Sequence, residues 1–141
     1  PHVQRVSIDE AYLDVTPSEH RRQHPLSVAQ EIQKRVDALG LSCSIGIATC
    51  KTVAKIASDH KKPHGITVVE PGTEAAFLAP LPVTVIPGVG SATTERLRTA
   101  GIRTIRDLAR IDDATACHLL GTHGSSLIER ARGIDERPIV E

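Results

Sequence analysis

Aromatic side chains are almost missing from this chain of 141 residues: Tyr12 and Phe77 are the only two, and there is no tryptophan and no methionine. A core must therefore be assembled from valine, isoleucine, leucine and alanine, and binding of nucleic acid by stacking of bases on aromatic platforms is excluded. An excess of charge is missing too. Lysine and arginine balance aspartate and glutamate at 17 each, so no protein-wide field draws in a polyanion and any such contact must come from local patches. No run approaches the roughly 18 consecutive apolar residues that a membrane-spanning helix needs, and no secretory leader opens the sequence. The three cysteines, Cys43, Cys50 and Cys117, form an odd set without CxxC spacing. They read as reduced, mostly buried thiols of a cytoplasmic protein, and they lack the spacing of a metal site with histidine.

What is present is ordinary globular composition, with 40% hydrophobic and 24% charged residues. The sequence starts abruptly at a strand-like run, Val3 to Ile8, as a cloned or proteolytic fragment of a larger protein would. Two short runs, residues 3–8 and 12–16, flank Asp9-Glu10-Ala11 and predict a hairpin or bent strand pair. The polar, proline-flanked stretch 17–25 predicts a loop. Ser27 is the expected N-cap of a helix over 28–39, whose apolar face carries Val28, Ile32, Val36 and Leu39 and which Gly40 ends. A strand over 42–49, a helix over 51–60 with Val53, Ile56 and Ala57 inward, a strand over 66–69 and a short helix over 73–79 follow. From about Leu81 the strands stop and helices are expected over 91–100, 103–110 and 125–132. The fold class is therefore α+β: a mostly antiparallel sheet with helices on one face over residues 1–80, then a small all-α lobe over 81–141.

Three features carry chemistry. Asp9 and Glu10 are adjacent carboxylates where the chain leaves an apolar strand. Neighbours on a straight strand point to opposite faces, so the two reach a common point only if the backbone bends. Two converging carboxylates suit a hard cation such as Mg²⁺; a solvated acidic turn is the alternative. Lys62, held by the following proline, offers a point charge to a polyphosphate, or is a plain surface lysine. Pro87-Gly88-Val89-Gly90 followed by a helix from Ser91 lets the backbone approach a phosphate and points helix N–H groups at it; a simple tight turn is the alternative. Between residues 91 and 110, Arg96, Arg98, Arg103, Arg106 and Arg110 outnumber Glu95 and Asp107, a basic patch in a neutral protein. Gly121-Thr122-His123-Gly124 is open between a second such turn and none.

The string Ser7-Ile8-Asp9-Glu10-Ala11-Tyr12-Leu13-Asp14 resembles a metal-binding motif of the Y-family translesion DNA polymerases, of the DNA polymerase IV type. Similarity continues through Gly40 to Ala48, Lys51 to Asp59, Lys61-Lys62-Pro63-His64-Gly65-Ile66, the helix-hairpin-helix at 86–91, and Gly133 to Pro138. The resemblance implies a partial polymerase palm over 1–80 and a helix-hairpin-helix thumb over 81–141. It implies low-fidelity, template-directed DNA synthesis past damage, with Asp9 and Glu10 as catalytic metal ligands. Two Mg²⁺ ions are implied, with a further aspartate that this sequence does not contain. Lys62 would touch the incoming nucleotide's triphosphate, and Pro87, Gly88, Val89, Gly90, Ser91 and Arg96 would contact the DNA backbone. The implied partners are primer-template DNA, a deoxynucleoside triphosphate and a sliding clamp reached through a further domain; the protein would be a monomer, and this segment alone would be inactive. A non-catalytic, DNA-binding relative that recruits partners is the rival reading, although such relatives lose the metal acids. A palm-type nucleotide cyclase, which the helix-hairpin-helix disfavours, is a third.

Overall fold

The computed structural model describes residues 2–19 and 23–141. The loop expected over 17–25 includes residues 20–22, which lie outside the described residues, and its last residue, Pro25, already starts a helix.

Strands β1 (Val3–Arg5) and β2 (Ala11–Leu13) form an antiparallel hairpin in which Val3 faces Leu13, Gln4 faces Tyr12 and Arg5 faces Ala11. Helix α1 spans Pro25–Ala38. Ser27 is not its cap: the His24 ring nitrogen Nδ1 accepts from the Leu26 N–H at 3.2 Å, and Pro25 occupies the first turn, where a missing N–H costs nothing. Of the expected apolar face, Val28, Ile32 and Val36 are half-buried but Leu39 is 75% exposed. Leu39 sits at the C-cap, where the chain turns away through Gly40 at φ 74°. Strand β3 (Ile45–Ile47), helix α2 (Lys51–His60) and strand β4 (Ile66–Val68) then form a β-α-β unit.

β3 and β4 pair in parallel, with Ile45 against Ile66 and Ile47 against Val68. The described strands thus form two separate pairs, one antiparallel and one parallel, where the sequence pattern predicts a mostly antiparallel sheet. The cause is the connection: α2 carries the chain back across the strand pair, and a crossover helix imposes parallel pairing. Gly46 is where α2 approaches most closely. A Cβ there would stand 1.9 Å from the Ala54 carbonyl oxygen, so any larger residue would push the helix off the strand.

Beyond the short helix α3 (Glu74–Leu78) and a 3-10 turn at Val83–Val85, the chain is helical: α4 (Ser91–Thr99), α5 (Ile105–Arg110), α6 (Asp113–Leu120) and α7 (Gly124–Ala131). α5 is fixed by a capping box. The Asp107 backbone N–H donates to Thr104 Oγ1 at 3.2 Å, and the Asp107 carboxylate accepts from the Thr104 backbone N–H at 2.9 Å. α6 has no counterpart among the sequence expectations, because its apolar residues are weakly periodic. Its signal was Asp112, whose carboxylate accepts from the Thr115 N–H at 2.7 Å as an N-cap.

One buried apolar cluster runs through both halves. It joins Val53, Ile56, Ala57 and Val69 of the β-α-β unit to Leu78, and Leu78 to Leu97, Ile105, Leu108 and Leu127 of the helices. Burying each such side chain contributes about 1.5–3 kcal/mol. None of the cysteines belongs to the fully buried set: Cys43 and Cys50, just ahead of β3 and α2, are half-buried, and Cys117 is exposed in the middle of α6. No helix among the described residues is long and apolar enough to cross a membrane.

Candidate active site

The β1–β2 hairpin brings the two acids to its tip. The Val6 and Ser7 N–H groups both donate to the Glu10 carbonyl, at 2.9 and 3.2 Å, and close the turn. Asp9 is exposed at the apex, where Ser7 Oγ donates to its carboxylate at 2.7 Å. That hydrogen bond, with a smaller field from Lys55 and Lys62, holds the Asp9 carboxyl below its ordinary pKa. Glu10 is half-buried, one residue before β2, and its carboxylate accepts from Lys55 Nζ.

Helix α2 organises the rest. Thr52, Lys55 and Asp59 lie three and four residues apart, and that spacing puts them on one helix face. Lys55 reaches both Glu10 and, at 3.5 Å, Asp59. Its hydrogen bond to Glu10 raises the ammonium's pKa and keeps it charged. Lys62 follows the helix end, and its Nζ lies 2.6 Å from Asp59 Oδ1. Burial pushes the Asp59 carboxyl up, but the Lys62 hydrogen bond and the Lys55 charge outweigh it and leave the group below its ordinary value. Acids and bases therefore alternate along one line: Glu10, Lys55, Asp59, Lys62. Lys62 itself is 60% exposed at its side chain, free to swing toward an anion.

Among the described residues, no group of three aspartate, glutamate, histidine or cysteine side chains is arranged to hold a metal ion. Asp9 and Glu10 are two hard-oxygen donors. That set fits Mg²⁺, which keeps several of its waters and commonly takes one or two carboxylates plus substrate phosphates.

The second group of sequence-singled residues lies in the helical half. Ile86 is buried, and Val89 N–H returns to its carbonyl at 3.0 Å. Between them Gly88 adopts φ 94°, a left-handed conformation that a side chain resists. Gly90 caps α4 without any side-chain hydrogen bond to the first helical N–H groups, and no atom lies within 4 Å of the position a Gly90 Cβ would take. The helix start is accordingly open to a ligand, with Ser91 exposed beside it. Arg130 Nη1 donates to the Pro87 carbonyl at 3.2 Å and braces the turn. A cleft of about 290 Å³ beside it is lined by Gly88, Thr93, Arg96, His123, Ser126 and Arg130 among others. Of the arginines in the basic patch, Arg98 is paired with Glu95 at 2.8 Å, whereas Arg96 faces the cleft. Gly121 ends α6 at φ 68° and Gly124 starts α7, packed so closely on Ala116 that a Cβ would stand 2.5 Å from its carbonyl oxygen. Among the described residues, no hydrogen bond or ion pair joins the acid hairpin to the 87–91 turn.

Comparison with known proteins adds the family. Residues 1–59 match the impB/mucB/samB family, and residues 84–135 match the family described as the DNA polymerase-iota thumb domain. The chain is 48% identical over 137 residues to the DNA polymerase IV of Methanoculleus marisnigri, covering 95% of this chain and 37% of that protein. It is 44% identical over 138 residues to the DNA polymerase IV of Escherichia fergusonii, covering 97% of this chain and 42% of that one. The chain belongs to the Y-family of DNA polymerases, of the DNA polymerase IV type. Solved structures of the family agree in fold. The post-insertion binary complex of Dbh DNA polymerase superposes with a TM-score of 0.84 at 30% identity, over 97% of this chain and 41% of that one. A DinB family error prone DNA polymerase from Sulfolobus solfataricus gives 0.84 at 29% identity, over 97% and 42%. This Y-family chain thus spans about two fifths of the length of the relatives it matches, and its α+β class is that of the family.

Proposed function

We propose that the protein containing this chain is a DNA-directed DNA polymerase that adds deoxynucleotides to a primer 3′-end and synthesises past damaged template bases. The observation that carries the reading is the convergence on α2: Glu10 is bound to Lys55, Asp9 lies in the field of Lys55 and Lys62, and Asp59 holds Lys62 beside them. Acids for a cation and a lysine for a polyphosphate thus share one surface. On this reading residues 1–80 are part of the palm and residues 81–141 the thumb.

The reaction joins the primer 3′-oxygen to the α-phosphorus of the nucleotide, breaks the bond from that phosphorus to the bridging oxygen, and releases pyrophosphate. Asp9 and Glu10 would hold divalent cations, and Mg²⁺ fits their oxygens; when bound, the ions would lower the charge cost of bringing an oxyanion to a phosphate. Lys62 would leave Asp59 for the β- and γ-phosphates and offset the negative charge that builds on the leaving group. Lys55, bonded to Glu10 and adding a small field at Asp9, sets a positive charge beside both carboxylates before any cation arrives. Pro87, Gly88, Val89, Gly90, Ser91 and Arg96 would grip the DNA backbone through the open N-terminus of α4, a contact that positions the duplex and reads no bases. Primer-template DNA and a deoxynucleoside triphosphate are the partners this chemistry requires. A sliding clamp, a monomeric state and the cytoplasm belong to the same reading through the family resemblance.

Retention of both acids argues against a relative that only binds DNA. The test is Asp9→Ala in the intact protein, with nucleotide incorporation and DNA binding measured separately. The expected outcome is a loss of incorporation of at least a thousandfold with DNA affinity kept within about threefold, as removal of a group used only in the transition state predicts. Incorporation at the wild-type rate would overturn the reading. Residues 1–141 on their own, with two site carboxylates, are expected to give no primer extension.

A further inference from the structure

Among the described residues, a heavily bonded side chain lies outside the site. Asp135, after the end of α7, has a side chain only 2% exposed. Arg137 grips it with two hydrogen bonds of 2.7 Å, one from Nε to Oδ1 and one from Nη2 to Oδ2. Oδ2 also accepts from Thr52 Oγ1 at 2.7 Å and from the Thr52 N–H at 3.1 Å. Thr52 is fully buried and is the second residue of α2, whose own N-cap, Cys50, supplies no side-chain hydrogen bond. A carboxylate from 83 positions away in sequence therefore does what a local Ser or Asp normally does: it takes an orphan N–H at the helix start and places negative charge at the positive end of the helix dipole. Neighbouring contacts follow the same path, from Cys50 Sγ to the Gly133 carbonyl at 3.4 Å and from Lys51 Nζ to the Pro138 carbonyl at 3.0 Å.

We propose that Asp135, clamped by Arg137, is a positioning residue for the acid and lysine cluster, acting through Thr52 on α2. Thr52, Lys55 and Asp59 share one helix face, so whatever fixes the rotation and axial position of α2 at Thr52 fixes where Lys55 meets Glu10 and where Asp59 meets Lys62. The clamp sits in the segment that follows the helical half and the cluster sits on the β-α-β half, so the contact also ties the two halves to one geometry. A rigid helix transmits that geometry over about two turns without any moving part.

This inference rests on the reading of Asp9, Glu10 and Lys62 given above, and its test separates the two. In the intact protein, single-turnover incorporation at saturating nucleotide is measured for Asp135→Asn, Thr52→Val, Thr52→Ser and Asp9→Ala, together with DNA affinity and amide hydrogen exchange of α2. Asp135→Asn and Thr52→Val should each slow incorporation at least fivefold, leave DNA affinity within twofold and speed exchange at the start of α2. Thr52→Ser, which keeps the hydroxyl, should restore the wild-type rate. The Asp135→Asn/Thr52→Val double variant should be no slower than the worse single variant, because the two remove one contact. Wild-type rates in folded Asp135→Asn or in Thr52→Val, with Asp9→Ala inactive, would overturn the positioning role and leave the site reading standing. A fully active Asp9→Ala would instead overturn the site reading. Should Asp135→Asn fail to fold, the Thr52→Val and Thr52→Ser pair decides: equal rates for the two refute the role.

Discussion

The acid hairpin and the helical half are built on opposite principles. β1 and β2 are three residues each, and the hairpin's larger apolar side chains are exposed: Val3 44% and Leu13 37% on the strands, Val6 52% and Ile8 91% in the turn between them. The hairpin is held to α2 by polar reach, through Lys55 to Glu10 and through Lys51 Nζ to Gln4 Oε1 at 2.7 Å, with the Lys51 ammonium 5.3 Å from the Tyr12 ring centre. In the helical half Leu97, Ile105, Leu108 and Ile128 are all fully buried. The residues read as chemical are thus carried by an element that contributes little to the core, while the residues read as gripping a DNA backbone stand on a packed scaffold. A two-stranded hairpin is marginal by itself, and its position depends on what α2 does.

Substitutions should break this contrast in order of size. Leu97→Ala, in the shared core, is expected to destabilise folding by about 2–5 kcal/mol, whereas Ile8→Ala at the hairpin tip should leave the melting temperature unchanged; thermal unfolding of the two variants checks it, and equal losses would contradict the division. Next, Thr104→Ala removes one side of the α5 capping box and should cost about 1 kcal/mol, read in denaturant unfolding, without altering nucleotide incorporation. Arg96→Ala should weaken DNA binding several-fold for every sequence and reduce the salt dependence by about one counterion, again with the melting temperature preserved.

Acid offers a gentler lever. The Arg137 guanidinium beside Asp135, helped by the Thr52 hydroxyl and opposed by burial, holds the Asp135 carboxyl well below the usual range. Its unfolded value is about 3.9. The stabilisation from a depressed carboxyl is therefore complete above that pH and is lost as pH falls through the folded value. Stability should decline on acidification below about pH 4, and the decline should be shallower in Asp135→Asn. Parallel curves for the two proteins would remove Asp135 from the account.

Much of this was legible from residues alone. The α2 boundaries, its inward Val53, Ile56 and Ala57, the change from mixed to helical structure and the turn at 86–91 all follow local rules of periodicity, breakers and glycine. What was not legible is non-local. Parallel pairing of β3 with β4 depends on how α2 crosses back. His24 caps α1 because Pro25 fixes the entry, three residues ahead of the better cap former Ser27. Lys55 and Asp59 had the spacing of an ordinary helix pair, and nothing in that spacing shows Glu10 arriving from 45 residues away. Asp135 and Arg137 look like a surface turn until Thr52 is seen beneath them.

Divalent-ion affinity is the most direct probe of the acid pair. Mn²⁺ binding to the intact protein, with primer-template DNA and a non-hydrolysable nucleotide present, can be followed by electron paramagnetic resonance for the wild type and for Glu10→Gln. The account predicts at least a tenfold loss of affinity in Glu10→Gln with the fold intact, and an unchanged affinity would contradict it.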